Sequence, residues 1–297
     1  MAAKSGKSGV LSVSGTSAIT SVRNWRIEPK NAVVGGATSN SGGARFNIPG
    51  VFDFSGSFQL YGPSTLGYVV PGTAYVFYGQ PDSAGDEVKG GIIIDSMTVN
   101  CDIEAGGILS ADVAFSSIGA STAVYTADNT ALTYQTRTSL TNTGVPAVQS
   151  GIGCKASWEV LGQTAADITG VRSWSLTLTS ANIAFSHSGA GGVTKRVAGE
   201  KSAKASVRFY DADVAAHDAA TTDYRSGTVG KLRLYTDASL FWLLTYSVIN
   251  ASPFEVPIEG AGMVSNELQF DWSSHANVSG TITRGVLTDP NSVSWFS

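Results

Sequence analysis

The chain has 297 residues, 42% of them hydrophobic and only 14% charged, with a formal net charge of -4. Soluble domains usually carry about 25% charged residues, so a folded chain this poor in charge is expected to hide much of its surface against partners. No apolar run approaches the ~20 residues a membrane helix needs, and the opening MAAKSGKSGVLSVSG lacks the apolar core of a secretory signal. From there the chain reads as strands. ITSVRNWRI (19–27) is the first, and a long Gly/Ser-rich stretch follows at 31–50. In 52–60, Phe52, Phe54, Phe58 and Leu60 alternate with Asp53, Ser55, Ser57 and Gln59. In 96–104, Met97, Val99, Cys101 and Ile103 alternate with polar residues. This period of two predicts strands with one dry and one wet face, as in antiparallel sheets. The Ser/Thr/Asn-rich stretch 116–146 reads as connector and arm.

The pattern then starts again. ITGVRSWSL (168–176) repeats ITSVRNWRI at an offset of 149, and VRFYD (207–211) repeats FQLYG (58–62). EGAGMVSNELQF (259–270) repeats EAGGILSADVAF (104–115) at 155. Order is kept and apolar positions coincide, which predicts two copies of one domain. The expected division is 1–118 for the first, 119–146 for the connector, and 147–297 for the second. A second Gly/Ser-rich stretch at 181–200 matches the first, and loops of that length recurring in both halves point to a shared role. Helical signal is thin, with ADVAAHDAAT (212–221) the one short candidate. Trp25 and Trp174, at matching places, are expected to anchor the core of their strands.

Charge is unevenly placed. Residues 82–112 hold seven acidic residues against Lys89, and 237–271 hold five with no Lys or Arg. Glu104 corresponds to Glu259, and Asp112 to Glu267. An ordinary solvated strand face is one reading. The sharper one is an acidic concave wall that repels a polyanion, because phosphate binding depends on Lys and Arg.

Chemistry-bearing motifs are missing. His187, His217 and His275 form no defensible arrangement with a serine or carboxylate, and no nucleophile elbow, zinc-helix, P-loop or dinucleotide fingerprint occurs. A glycosidase pair among the strand carboxylates lacks the aromatic platforms such sites use. Cys101 and Cys154 lie in no metal-binding spacing; a disulfide between them is allowed, with reduced thiols the expectation for a chain made in the cytosol. The sequence therefore predicts no enzyme, metal or cofactor.

A Val-x-x-Trp-x-Leu/Ile strand, a long loop and then a strand of the type GVFDFSGSFQLYG resemble phage tail tube proteins, once per repeat. The resemblance implies an all-β fold with one or two short helices: tandem β-sandwich tube domains that join into an inner β-barrel on assembly. It further implies the tube of a long non-contractile tail, with two fused domains per chain and three chains in a pseudo-hexameric ring. Rings would stack into the conduit for DNA ejection, working with tape-measure and tail terminator or tip proteins. Genomic DNA would pass without specific binding and no membrane would be engaged. The place implied is the virion tail, assembled in the host cytoplasm. By the family pattern Asp102, Glu104, Asp112, Glu259, Glu267 and Asp271 would face the lumen. Asn40, Arg45, Asn47, His187, Lys195 and Arg196 would serve ring-to-ring contacts. The competing readings are a conduit protein of a contractile injection system, a two-domain β-sandwich binding or adhesin-like module, and, least favoured, a β-sandwich hydrolase.

Overall fold

The computed structural model describes residues 9–13, 19, 22–37, 42, 44–61, 69–81, 86–103, 107–119, 133–136, 154–185, 195–210, 227–236, 240–251, 253–255, 265–272, 282–286 and 293–296. Every regular element among them is a strand, and all pairings are antiparallel. The helix candidate 212–221 lies outside the described residues.

The first half contributes β1 (Val10–Val13), β2 (Val22–Gly36), β3 (Phe46–Tyr61), β4 (Ala74–Gln80), β5 (Asp86–Asp102) and β6 (Ser110–Ser117). From the expected connector comes β7 (Thr133–Thr136), which pairs with Asp86–Lys89 of β5. The second half contributes β8 (Lys155–Val160), β9 (Ala166–Ile168), β10 (Val171–Ser180), β11 (Ile183–Phe185), β12 (Lys195–Val197), β13 (Lys201–Tyr210) and β14 (Val229–Tyr235). It ends with β15 (Leu240–Ala251), β16 (Phe254–Glu255), β17 (Ser265–Trp272), β18 (Ile282–Val286) and β19 (Val293–Phe296).

Pairing in the two halves follows the same plan. β2 pairs with β3 and β3 with β6, as β10 pairs with β13 and β13 with β17. β1, β4, β5 and β6 join in series, as do β8, β14, β15 and β17. The irregularities coincide too. β2 shifts register between Val22 and Asn24, and β10 between Val171 and Ser173. β5 shifts between Ile94 and Ser96, and β15 between Ile249 and Ala251. The guanidinium of Arg23 lies over the Tyr61 ring, and that of Arg172 over Tyr210, so even this cation–π contact recurs at an offset of 149.

Each half is two layers of sheet. β5 is long enough to serve both: its first part pairs with β4 and β7, and its second with β6. The extra residue at the bulge kinks the strand and raises its twist, which lets one strand turn the corner between layers. The layers meet through aromatic rings. Phe77 on β4 packs edge-on to Trp25 on β2 at 5.7 Å and against Phe115 on β6 at 5.1 Å. In the second half Trp158 on β8 meets Phe270 on β17 at 5.2 Å. Gly56 makes room for this packing, since a Cβ there would lie 2.4 Å from the Phe115 ring.

The apolar series of the sequence points inward. Phe54, Phe58, Leu60, Met97, Val99, Cys101, Leu268 and Phe270 are all buried. Trp174 is buried and its indole N–H donates to the Tyr235 carbonyl at 3.2 Å, while Trp25 is half-buried against the same core. Burying side chains of this size is worth about 1.5–3 kcal/mol each. Cys101 and Cys154, with Cα atoms 6.6 Å apart, are joined as a disulfide. That separation is within the usual range, and the finding replaces the expectation of free thiols: strand pairing at the junction carries β5 beside the start of β8.

Candidate functional site

The two halves share one sheet. The second part of β5 pairs with β10, with Asp102 opposite Ser173, Trp174 opposite Cys101, and the series ending at Thr179 opposite Ser96. The order β2, β3, β6, β5, β10, β13, β17 and then β15 with β16 is therefore continuous, eight strands across both halves. Alternation gives this sheet a dry face against the core and a polar face turned outward.

The polar face is cross-linked by side chains. Asn24 donates to Gln59 at 3.4 Å, and Gln59 donates to Asp112 at 2.6 Å. Across the seam between halves the hydroxyls of Thr98 and Thr177 lie 3.2 Å apart. Further on, Glu267 accepts from Ser206, Arg208 and Gln269, and Asp271 from Asn250. Burial alone would raise the Glu267 carboxyl, but bonds from Gln269, Arg208 and Ser206 together with the Arg208 charge hold it below the usual range. A shallow depression on this face is lined by Asn24, Ser57, Gln59, Ser96, Thr98 and Asp112.

Of the six acidic candidates, Asp112, Glu267 and Asp271 lie on this face and Asp102 at its edge on the last position of β5. Glu104 and Glu259 lie outside the described residues. The face is not uniformly acidic. Arg208 pairs with Glu267 at 2.8 Å, Lys204 lies 4.0 Å from Asp271, and Arg26 and Lys30 flank Glu28. Those cations come from β13 and β2, strands whose neighbours the local sequence does not name.

The loop candidates divide. Asn40 and His187 lie outside the described residues. Arg45 is exposed, and Asn47 is exposed on β3 opposite Gly35. Lys195 and Arg196 lie on β12, which pairs with β11 as a short hairpin. Arg196 reaches back into the first half. Its two terminal nitrogens bind both oxygens of Asp53 at 2.8 and 2.7 Å, and one also donates to the Ser117 carbonyl and hydroxyl. Only 13% of the Arg196 side chain is exposed. Burial opposes ionisation of Asp53, yet the bonds from Arg196 and Ser117 and the Arg196 charge outweigh it and lower its pKa. The Arg196 guanidinium is raised in turn, chiefly by its bond to Asp53. Beside it Asn182 donates to the Ile94 carbonyl at 3.0 Å and to Asp95 at 2.7 Å. Gly72, at φ +79°, closes the same contact, since a Cβ there would lie 2.8 Å from the Ser180 hydroxyl. The sequence held no signal for the Arg196–Asp53 pair, which joins positions 143 residues apart.

Among the described residues no group of three or more His, Cys, Asp or Glu side chains could hold a metal ion. No described helix is long and apolar enough to cross a membrane.

No protein-family model and no curated protein matches the sequence. Solved structures do. A chain of the virion of a native gene transfer agent particle aligns at 16% identity and a TM-score of 0.37, covering 48% of this chain and 100% of that one. A chain of the tail of an empty gene transfer agent particle, refined helically with C6 symmetry, aligns at 17% and 0.38, covering 43% and 96%. A chain of the six-fold symmetrised baseplate of the anti-feeding prophage aligns at 10% and 0.35, covering 44% and 94%. The chain thus bears a distant, partial structural similarity to proteins of virion tails and baseplates.

Proposed function

We propose that this chain is a structural, non-catalytic subunit of a phage-type tail tube, carrying two tube domains in tandem and closing as three chains into a ring. One observation carries the reading: a single sheet runs unbroken through both halves, dry on one side and hydrogen-bonded polar on the other. A sheet of this kind with two open edges is stable as a free molecule only if those edges are protected or joined, and joining them head to tail closes a barrel. Three chains of eight strands make roughly 24 strands. At ~4.8 Å between strands and a tilt of ~40°, such a barrel is about 45–50 Å across at the backbone, wide enough for duplex DNA inside its side chains.

The polar face then lines the lumen. Carboxylates tied to neighbouring amides, hydroxyls and guanidinia leave no cluster of free cations there among the described residues, which suits passage of a polyanion without binding. The exposed apolar residues of the hairpins supply contacts between rings. Tape-measure and terminator proteins are the expected partners, and the virion tail the expected place.

Negative-stain electron microscopy of the purified protein over a concentration series tests this. Rings or hollow tubes of uniform width are the expected outcome. Single small particles at every concentration would set the tube aside in favour of a two-domain binding module.

A further inference from the structure

The seam inside the chain is a template for the seam between chains. β5 and β10 meet at an internal junction, and the shared pairing plan assigns each of them a counterpart elsewhere in the molecule. The counterpart of β10 is β2, at an offset of 149; the counterpart of the second part of β5 is the end of β15 with β16, at 155. β2 pairs with β3 on one side. Ala251, Phe254 and Glu255 pair with β17 on one side. Among the described residues each counterpart is thus paired on one side only, at an outer edge of the eight-stranded sheet, and the two edges are the complementary halves of a junction the chain already makes once.

We infer that β2 of one copy docks antiparallel on Ala251, Pro253, Phe254 and Glu255 of a second copy, in the register set by the internal seam. This rests on the ring proposed above and gives it an address. Ser175 opposite Asn100 becomes Arg26 opposite Glu255. Leu176 opposite Val99 becomes Ile27 opposite Phe254, and Thr179 opposite Ser96 becomes Lys30 opposite Ala251. The backbone is disposed for it. The Glu267 N–H donates to the Pro253 carbonyl, so Pro253 turns its polar group toward β17 and Phe254, next along the strand, turns its own to the outer side. Pro253 therefore costs the new ladder no donor, whereas Pro29, in the place of Leu178, whose backbone faces the internal seam, forgoes one.

Two differences from the internal seam matter. The neutral Ser175/Asn100 pair becomes an Arg/Glu pair, and opposite charges facing each other across strands fix register and speed encounter. The Arg26 side chain is 74% exposed in the single chain, where its partner is Glu28 on the same strand, so it is free to turn to a new carboxylate. The buried clasp is also gone: by the same offsets Asn47 takes the place of Arg196 and Ser202 that of Asp53. The seam between copies is thus expected to be salt-sensitive and reversible, unlike the seam within the chain.

Paired cysteines test the register. Facing positions of antiparallel strands lie about 4.5–5.5 Å apart at Cα, within disulfide range. Full-length protein carrying Arg26→Cys and Glu255→Cys, oxidised under assembling conditions, is expected to give a covalent ladder ending at three chains. The neighbouring pair Arg26→Cys with Ala251→Cys, four residues out of register, should not crosslink. In a second arm, Arg26→Glu and Glu255→Arg should each weaken assembly at least tenfold, measured by sedimentation, and the double swap should recover most of it. Assembly of wild-type rings or tubes without the 26–255 crosslink would overturn the junction while leaving the tube reading standing. A crosslink confined to monomers would place both edges in one chain and also overturn it. Failure of the wild-type protein to assemble at all would remove both.

Discussion

The two hairpins that rise from equivalent places in the two halves have different surroundings. The β11–β12 hairpin is clasped to the first half through Arg196, Asn182 and the backbone of Ile118, whereas on the hairpin of β2 and β3 the described Val33, Val34, Phe46 and Ile48 are all exposed. Both display an apolar cross-strand pair at the same offset, Val34 with Ile48 and Ile183 with Val197, all four exposed. One hairpin is tied to the other half; the other keeps its apolar pair exposed without the residues of that clasp, since Asn47 and Ser202 stand where Arg196 and Asp53 would be. On the ring proposed above, the difference separates a surface used within the chain from one that another chain would cover.

The largest expected effect concerns the matched tryptophans. Trp174, 2% exposed at the internal seam and bonded to Tyr235, should cost about 3–5 kcal/mol on truncation to alanine. Trp25, half-buried at the free edge, should cost clearly less in the isolated chain. Thermal unfolding of the two variants reads this directly. Equal losses would mean that the edge of β2 is as fully packed as the seam.

Next comes the disulfide. It links the β5 side of the seam to the start of β8 across 53 residues, a loop for which chain entropy gives about 4 kcal/mol at most. Replacing Cys101 and Cys154 together by alanine should lower the oxidised protein's melting temperature and the reduced protein's by much less, since alanine brings no hydroxyl into a core where Cys101 is fully buried. No counterpart exists at the free edges, so assembly itself should not depend on oxidation.

How far these features could be read from the sequence varies with distance along the chain. Alternation placed Phe54, Phe58, Met97, Val99, Leu268 and Phe270 on the dry face, because strand periodicity is local, and the structure buries them all. It loses its hold at Ile92, Ile93 and Ile94, three consecutive buried residues where β5 passes from one layer to the other through its bulge. The wet-face acids were visible as a charge imbalance. Their partners Arg208 and Lys204 were not, because strand order brings β13 beside β17 and composition does not encode strand order. Arg196 looked like a loop cation for contacts between rings, and its bond to Asp53 depends on a fold that brings residues 143 apart together. The internal seam shows most directly what the sequence withheld: both strands could be recognised, but not that they pair.

The clasp gives a third, smaller effect with a pH signature. Asp53→Asn should cost about 2 kcal/mol, between the values for exposed and fully buried pairs, since the carboxylate side chain is 30% exposed. Because the folded-state pKa of Asp53 is lowered, its contribution is complete above the ordinary carboxylate value of about 4. It is lost as pH falls through the lower folded value. Wild type and variant should therefore differ by a constant amount from about pH 5 upward, draw together as pH falls below ~4, and meet only below the lowered folded-state value. Arg196, already charged and raised further, adds no titration in that range. Ser202, at the matching place in the second half, should give no such pH dependence on replacement by alanine.

The smallest effect on folding should come from the hairpin of β2 and β3. Val34 is 61% exposed and Ile48 53%, so Val34→Asp with Ile48→Asp removes almost no buried surface from the single chain. The stability of the isolated protein should change by about 1 kcal/mol or less, the cost of two like charges facing each other on an exposed pair. Stacking should change a great deal, because two carboxylates facing each other across strands would have to be buried in any contact that covers the tip. If the hairpin serves ring-to-ring contact, the variant forms rings that do not grow into tubes. If it instead clasps the neighbouring chain's second half, as β11–β12 clasps the first half here, rings fail as well. Negative-stain images of the one variant therefore distinguish contact along the axis, which the sequence resemblance implies, from contact around the ring.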